Sequence, residues 1–193
     1  MWRSPSRLRH SLPLLIKGPE RITTARLVVR RPLADDAEAI FTRYAGDPDV
    51  TRYLSWPVHL TVDETRAFVA FSDREWNKWP AGPYLVLARD DGRLLGGTGL
   101  SFETPDRAAT GYVFAKDAWG HGYATETLQV MIEVARSTGV RRLYALCHVD
   151  HRPSAHVLEK CGFVRERILR RFVEFPNLAG IARCDVLCYV YAL

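Results

Sequence analysis

The stretch of this chain best equipped for chemistry is Trp119-Gly-His-Gly-Tyr-Ala-Thr-Glu126, in which two glycines lead from an expected strand into an expected helix. The first turn of a helix carries backbone N–H groups with no intrahelical partner, and the helix dipole favours an anion there. Glycine removes the Cβ that would hold a phosphate away from the backbone. The segment suits a pyrophosphate; the competing reading is a tight turn with no ligand. It is not a P-loop, because no Gly-Lys-Ser/Thr follows, and Ala124 and Thr125 stand where a dinucleotide fingerprint needs its third glycine. Two other clusters are set aside. His148, Asp150, His151 and His156 match no zinc spacing, so no metal is expected. Cys147 and His148 are neighbours on an expected strand and face opposite ways, so they do not form a thiol–imidazole pair, and Cys147 reads as a small core residue.

The elements that must position this loop can be read along the chain. Arg26-Leu-Val-Val-Arg-Arg31 is β-branched and precedes Pro32, so a strand is expected. Asp35 with Glu38, and Thr61 with Glu64, have the spacing of helix N-terminal caps. The second of these helices carries Phe68, Val69, Phe71 and Trp76 and should end near Pro80. Residues 84–90 and 94–103 flank Asp91-Gly92, the signature of a hairpin, and a third strand is expected over residues 110–116. After the glycine loop, Ala124, Leu128, Met131, Ile132 and Ala135 recur at helical spacing up to Gly139. A buried strand (143–147), a short helix (154–160) and two further strands (164–173 and 185–191) complete an α/β fold. Its sheet is mixed, mostly antiparallel and of about seven strands, with about four helices.

Size and charge narrow the function. The 193 residues suit one domain, with 47% hydrophobic and 25% charged residues. The formal charge is +5, but Arg3, Arg7, Arg9 and Lys17 sit in an acid-free segment of the first 19 residues, and the remainder has 23 basic against 22 acidic residues. Residues 1–19 are therefore read as a basic N-terminal extension, and residues 20–193 as a single domain. The extension superficially fits an organelle transit peptide, but Pro5, Pro13, Gly18 and Pro19 interrupt any continuous helix. A nearly neutral body argues against nucleic-acid binding. No apolar run approaches the roughly 20 residues of a membrane span. Four scattered cysteines without a C-x-x-C pair read as reduced, which points to the cytoplasm.

With these pieces in order, the chain resembles the GCN5-related N-acetyltransferase (GNAT) superfamily, in its ribosomal-protein-alanine acetyltransferase (RimJ/RimL-like) branch. Four stretches carry the likeness: Thr24-Ala-Arg-Leu-Val-Val-Arg-Arg-Pro-Leu33, Asp91-Gly-Arg-Leu-Leu-Gly-Gly97, Gly111-Tyr-Val-Phe114 with the glycine loop, and Ser154-Ala-His-Val-Leu-Glu-Lys-Cys-Gly-Phe163. The resemblance implies a V-shaped splay between the fourth and fifth strands, residues 110–116 and 143–148, into which the pantetheine arm of acetyl-CoA inserts as a substitute strand. It assigns the arm to the backbone of Tyr112, Val113 and Phe114. The pyrophosphate falls to the amides of Trp119, Gly120, His121, Gly122, Tyr123, Ala124 and Thr125. The helix from Ser154 lines the other wall of the cleft, with Ser154 and His151 among the cofactor-binding candidates.

The implied reaction is direct attack of a neutral amine on the thioester. It needs a base for the amine, an oxyanion donor near Val113 or Phe114, and an acid for the thiolate. Many family members carry a tyrosine where Leu158 stands, an asparagine where His151 stands and a glutamate where Ala109 stands. Ser154 is then the candidate to orient or protonate the sulfur, with helix N-capping as its bland alternative. Glu103 and His151 are the candidate bases. The aromatic insert with Tyr53, Trp56, Trp76 and Trp79 is expected to cap an acceptor pocket or simply to pack. The apolar segment 172–181 is expected to flank that pocket or to form a homodimer contact. The acceptor is a protein N-terminus or a small-molecule amine. The rival readings are a degenerate acyl-CoA sensor and an aminoglycoside-modifying enzyme, the latter disfavoured by acceptor-side segments that are not conspicuously acidic.

Overall fold

Alternation along the first strands already separates two faces: Leu27 and Val29 are buried while Val28 and Arg30 are half-exposed. A computed structural model describes residues 16–178 and 183–193. Its strands are β1 (Arg21–Thr23), β2 (Leu27–Arg30), β3 (Pro83–Ala88), β4 (Leu94–Thr104), β5 (Arg107–Phe114), β6 (Arg142–His148), β7 (Val164–Val173) and β8 (Cys184–Ala192). Its α-helices are α1 (Ala37–Ile40), α2 (Pro48–Thr51), α3 (Val62–Lys78), α4 (Tyr123–Ser137) and α5 (Arg152–Lys160). The strands form one sheet in the order β1-β2-β3-β4-β5-β6-β8-β7, antiparallel except between β5 and β6. The short β1 is the strand beyond the seven expected. It pairs with β2 from Arg21↔Arg30 to Thr23↔Val28.

Helices cover both faces. Leu128, Met131, Ile132 and Ala135 of α4 and Leu158 of α5 pack with Leu27, Val29, Val86 and Leu95 in the larger core. Leu85, one residue from Val86 and so on the opposite face, packs with Ile40, Tyr44 and Val69. Burial of such side chains contributes roughly 1.5–3 kcal/mol each relative to exposure.

Helix boundaries follow local chemistry. Glu64 of α3 reaches back to the N–H groups of Leu60 (2.6 Å) and Thr61 (3.3 Å), as its spacing predicts. The first helical turn is closed differently from expectation: Asp36, not Asp35, accepts from Leu33 N–H (2.7 Å) and also binds Arg30 in a two-pronged ion pair. The third meander strand starts at Arg107 and stops at Phe114, because Ala115 leads into a short 3-10 turn over Lys116–Ala118.

The basic extension falls largely outside the described residues, which begin at 16. Its last residues are packed: Lys17 Nζ donates to the carbonyls of Trp76 (2.7 Å) and Trp79 (2.9 Å), and Gly18 N–H donates to Pro80 O (2.9 Å). Residues 17 and 18 of the expected extension are thus hydrogen-bonded to the end of α3 and the turn after it. No described helix is long and apolar enough to cross a membrane.

Candidate active site

The parallel pair β5–β6 is joined only at its base, by Arg107↔Arg142, Ala108↔Leu143 and Ala109↔Tyr144. Beyond that point β5 runs on to Phe114 and β6 to His148 without pairing to each other. β6 keeps its full register with β8 from Arg142↔Ala192 to His148↔Val186, so it is β5 and β6 that part. The ladder on the other side of β5 fixes which groups face the opening. Ala115 N–H donates to Leu95 O (2.9 Å), and alternate residues share that phase. Gly111 and Val113 thus turn their amides and carbonyls to β4, and Tyr112 and Phe114 turn theirs to the gap. Thr98 Oγ1 donating to Gly111 O (2.8 Å) agrees with this phase. The Phe114 carbonyl is already taken by Trp119 Nε1 (2.7 Å), which leaves its N–H and the Tyr112 groups for a ligand. β4 lies close enough that a Cβ on Gly96 would sit 2.1 Å from Val113 O, so glycine at this position permits the close approach of β5.

A cavity of about 490 Å³ occupies the gap. β4 and β5 line it with Gly97, Thr98, Thr110, Tyr112 and Val113. β6 contributes Tyr144, Cys147 and His148, and α5 contributes His151, Ser154 and Leu158. Tyr53, Leu54, Trp56 and Phe68 close it from the insert, and Val173 at the end of β7 and Phe175 just beyond it close it from the other side. Trp76 and Trp79 belong to the main core instead.

The glycine loop follows at the open end. Gly120 and Gly122 have φ of +78° and +76°, and Gly122 occupies the N-cap position of α4. Consecutive amides in such alternating conformations form an anion-binding concavity. Trp119 N–H is used by Lys116 O (3.1 Å), and the first turn of α4 opens with Glu126 N–H to Gly122 O (3.1 Å). Among the described residues, no backbone hydrogen bond outside helices and strands starts from the N–H of Gly120 through Thr125. Those six amides are therefore free for an anion, and Trp119, expected among them, serves the loop through its indole.

The catalytic candidates separate. Ser154 Oγ lies on the cavity wall 3.1 Å from Tyr112 Oη, which also donates to Ser154 O (3.1 Å). Burial pushes the Tyr112 phenol well above its usual pKa, so it stays protonated. Ser154 is not the N-cap of its helix: α5 starts at Arg152 with Pro153 in its first turn, and His151 takes the cap position without a capping side-chain bond. The serine hydroxyl is thereby free of a capping duty. His151 stacks on Tyr53 (ring centroids 4.7 Å), and burial, helped by His148, pushes its pKa below the usual 6.5, so the imidazole is neutral at pH 7. Glu103 is not on the cavity wall. It accepts from Tyr144 Oη, a cavity-lining residue, and pairs with Arg107 (2.9 Å) at the exposed end of β4.

Three positioning residues escaped the sequence reading. Arg26 donates to Glu126 Oε2 (2.7 Å) and to His121 O (2.9 Å), and its guanidinium lies 4.9 Å from the Tyr123 ring centroid. Thr24 Oγ1 donates to the other oxygen of Glu126 (2.5 Å). Burial raises the Glu126 pKa, but these bonds outweigh it and hold the carboxylate below its usual range. The glycine loop is thus braced by the start of β2. Asn177 accepts from Val58 N–H (2.8 Å) and donates to the carbonyls of Thr51 (2.8 Å) and Trp56 (2.9 Å), tying the β7–β8 connection to the insert over the cavity. Arg26 lies in a quoted motif, but nothing local links it to a residue 100 positions away, and Asn177 after Pro176 looks like an ordinary turn residue.

Residues 26–164 match the family model described as "Acetyltransferase (GNAT) domain". Among curated proteins, the chain is 28% identical over 160 residues to the uncharacterized N-acetyltransferase YoaA of Bacillus subtilis (strain 168), covering 79% of this chain and 87% of YoaA. Among solved structures, a GNAT-family acetyltransferase from Bacillus anthracis superposes with a TM-score of 0.76 at 25% identity, covering 89% of this chain and 98% of that one. RimL, a ribosomal L7/L12 alpha-N-protein acetyltransferase solved in complex with coenzyme A, has the same fold, with a TM-score of 0.79 at 22% identity and coverage of 90% and 98%.

Proposed function

Since the chain belongs to the GNAT acetyltransferase family, we propose that it transfers the acetyl group of acetyl-CoA to a primary amine by direct attack. The observation that carries this is the early end of β5–β6 pairing, which leaves an unpaired strand edge leading to six free amides at the start of α4. The pantetheine amides would pair with Tyr112 and Phe114, and the pyrophosphate would sit on Gly120–Thr125.

In the reaction the amine nitrogen attacks the thioester carbonyl carbon and the C–S bond breaks. The amine proton goes to a base, and the departing thiolate takes a proton, giving an N-acetyl amide and coenzyme A. With the Tyr112 carbonyl and the Phe114 N–H given to the pantetheine, the Tyr112 N–H is the donor left for the thioester carbonyl oxygen as charge develops. His151, neutral and on the wall, is the base best placed for the amine proton. Ser154 Oγ, held by the protonated Tyr112, is the hydroxyl best placed for the sulfur. Glu103, engaged by Tyr144 and Arg107, is a weaker candidate.

The test is coenzyme A release from acetyl-CoA with a panel of amines, with products identified by mass. Absence of both acetyl-CoA binding and consumption would refute the proposal. Leu158, Ala109 and His151, which depart from the family pattern that the resemblance implies, favour one rival: tight acyl-CoA binding without turnover. Steady product formation dismisses it.

A further inference from the structure

The acceptor end of the cleft is marked by what its wall lacks. None of the described residues lining the cavity is Asp, Glu, Lys or Arg. The acceptor side is built from Tyr53, Trp56, Phe68 and Phe175, with His148 and His151 as its imidazoles. His148 is 6% exposed, and its Nδ1 accepts from Asp150 N–H (3.1 Å). His151 is the neutral imidazole described above. Two carboxylates bind or flank wall residues without lining the cavity: Glu103 accepts from Tyr144 Oη, and Asp150, its side chain 78% exposed, lies beside His148.

From this wall, and resting on the acetyltransferase reading, we infer that the acceptor is a monoamine on an apolar or aromatic body that carries no second charge. No carboxylate lines the wall to pair a second ammonium, which disfavours polyamines and aminoglycosides. No Lys or Arg lines it to pair a carboxylate, Arg52 lying over the Tyr53 ring at 5.4 Å from its centroid, which disfavours free amino acids. A buried unpaired charge of either sign is strongly penalised, whereas aromatic walls reward an apolar body. The same wall disfavours the ammonium form of the reacting amine. An amine of low pKa gains most: near pH 7.5 about a third of an α-amino group is neutral, against about one in a thousand for a lysine-like amine.

The probes are matched. Phenylalaninamide and phenylalanine differ only in the carboxylate; phenethylamine removes the amide; spermidine and kanamycin carry several ammonium groups. A short uncharged peptide beginning with phenylalanine separates a peptide source from a small-molecule one. With kcat/KM expressed per neutral amine, phenylalaninamide and phenethylamine should exceed phenylalanine, spermidine and kanamycin by about 100-fold or more. Phenylalanine turned over as well as its amide, or spermidine or kanamycin preferred, overturns the inference and leaves the acetyltransferase reading standing. Acetyl-CoA bound with no amine acetylated overturns both.

Discussion

Three glycines offer a controlled test of the anion cradle. Gly92, Gly120 and Gly122 have φ of +72°, +78° and +76°, and an added Cβ meets nothing within 4 Å at the first two and only Arg26 Nη2, at 3.6 Å, at the third. Alanine at each position therefore suffers similar backbone strain without a steric clash, about 1–2 kcal/mol for a left-handed L-residue. In a domain of this size that lowers Tm by about 2–8 °C. The three should behave alike in thermal denaturation. They should differ in acetyl-CoA binding. Gly92 turns the β3–β4 hairpin, whereas the open space at Gly120 and Gly122 lies where a phosphate would approach the amides. By calorimetry, Gly120→Ala and Gly122→Ala should weaken acetyl-CoA by at least about tenfold, or 1.4 kcal/mol, while Gly92→Ala binds as the parent does. Equal affinity in all three variants, or an equal loss in all three, would refute the assignment of the loop to the pyrophosphate.

Removing the imidazole in His151→Ala should lower kcat by about 100-fold or more with little change in acetyl-CoA affinity, as expected for a general base. In the parent the acid limb of kcat should fall below pH 6.5, because burial disfavours the imidazolium; activity is then retained as pH drops through 6.5 and lost only below it. Arg26→Gln should raise the Kd for acetyl-CoA about tenfold and leave kcat at saturation within about twofold, since the arginine holds the loop without touching the reacting atoms. The Glu126 carboxylate it binds has a lowered pKa, so the brace should be fully present above pH 4.5 and fail only as pH falls through the lower folded value. Asn177→Ala removes three hydrogen bonds between the β7–β8 connection and the insert, and should cost about 2–4 kcal/mol in urea denaturation.

What could be read from the residues was what local chemistry decides. Asp91-Gly92 specifies its turn, Glu64 returns to the N–H groups ahead of α3, and the spacing from Leu128 to Ala135 places one face of α4 in the core. Motif order then supplied the splay. Missing were features decided by contacts across the sheet. β1 is three residues long and exists because β2 offers it an edge. Glu103 looked available until Tyr144, 41 residues later, met it from β6. Ser154 looked like an N-cap although Pro153 carried the contrary signal, since proline favours the first turn and so places the cap before it. The backbone phase that turns Val113 toward β4 and Tyr112 toward the gap depends on the register of a neighbouring strand, which periodicity alone leaves open.

A crystal structure with coenzyme A bound probes the central claim most directly. The account predicts pantetheine amides hydrogen-bonded to Tyr112 and Phe114 between β5 and β6, with the pyrophosphate within reach of the amides of Gly120 to Thr125. Coenzyme A lodged elsewhere, or β5 and β6 paired through to their ends with the cleft closed, would contradict it.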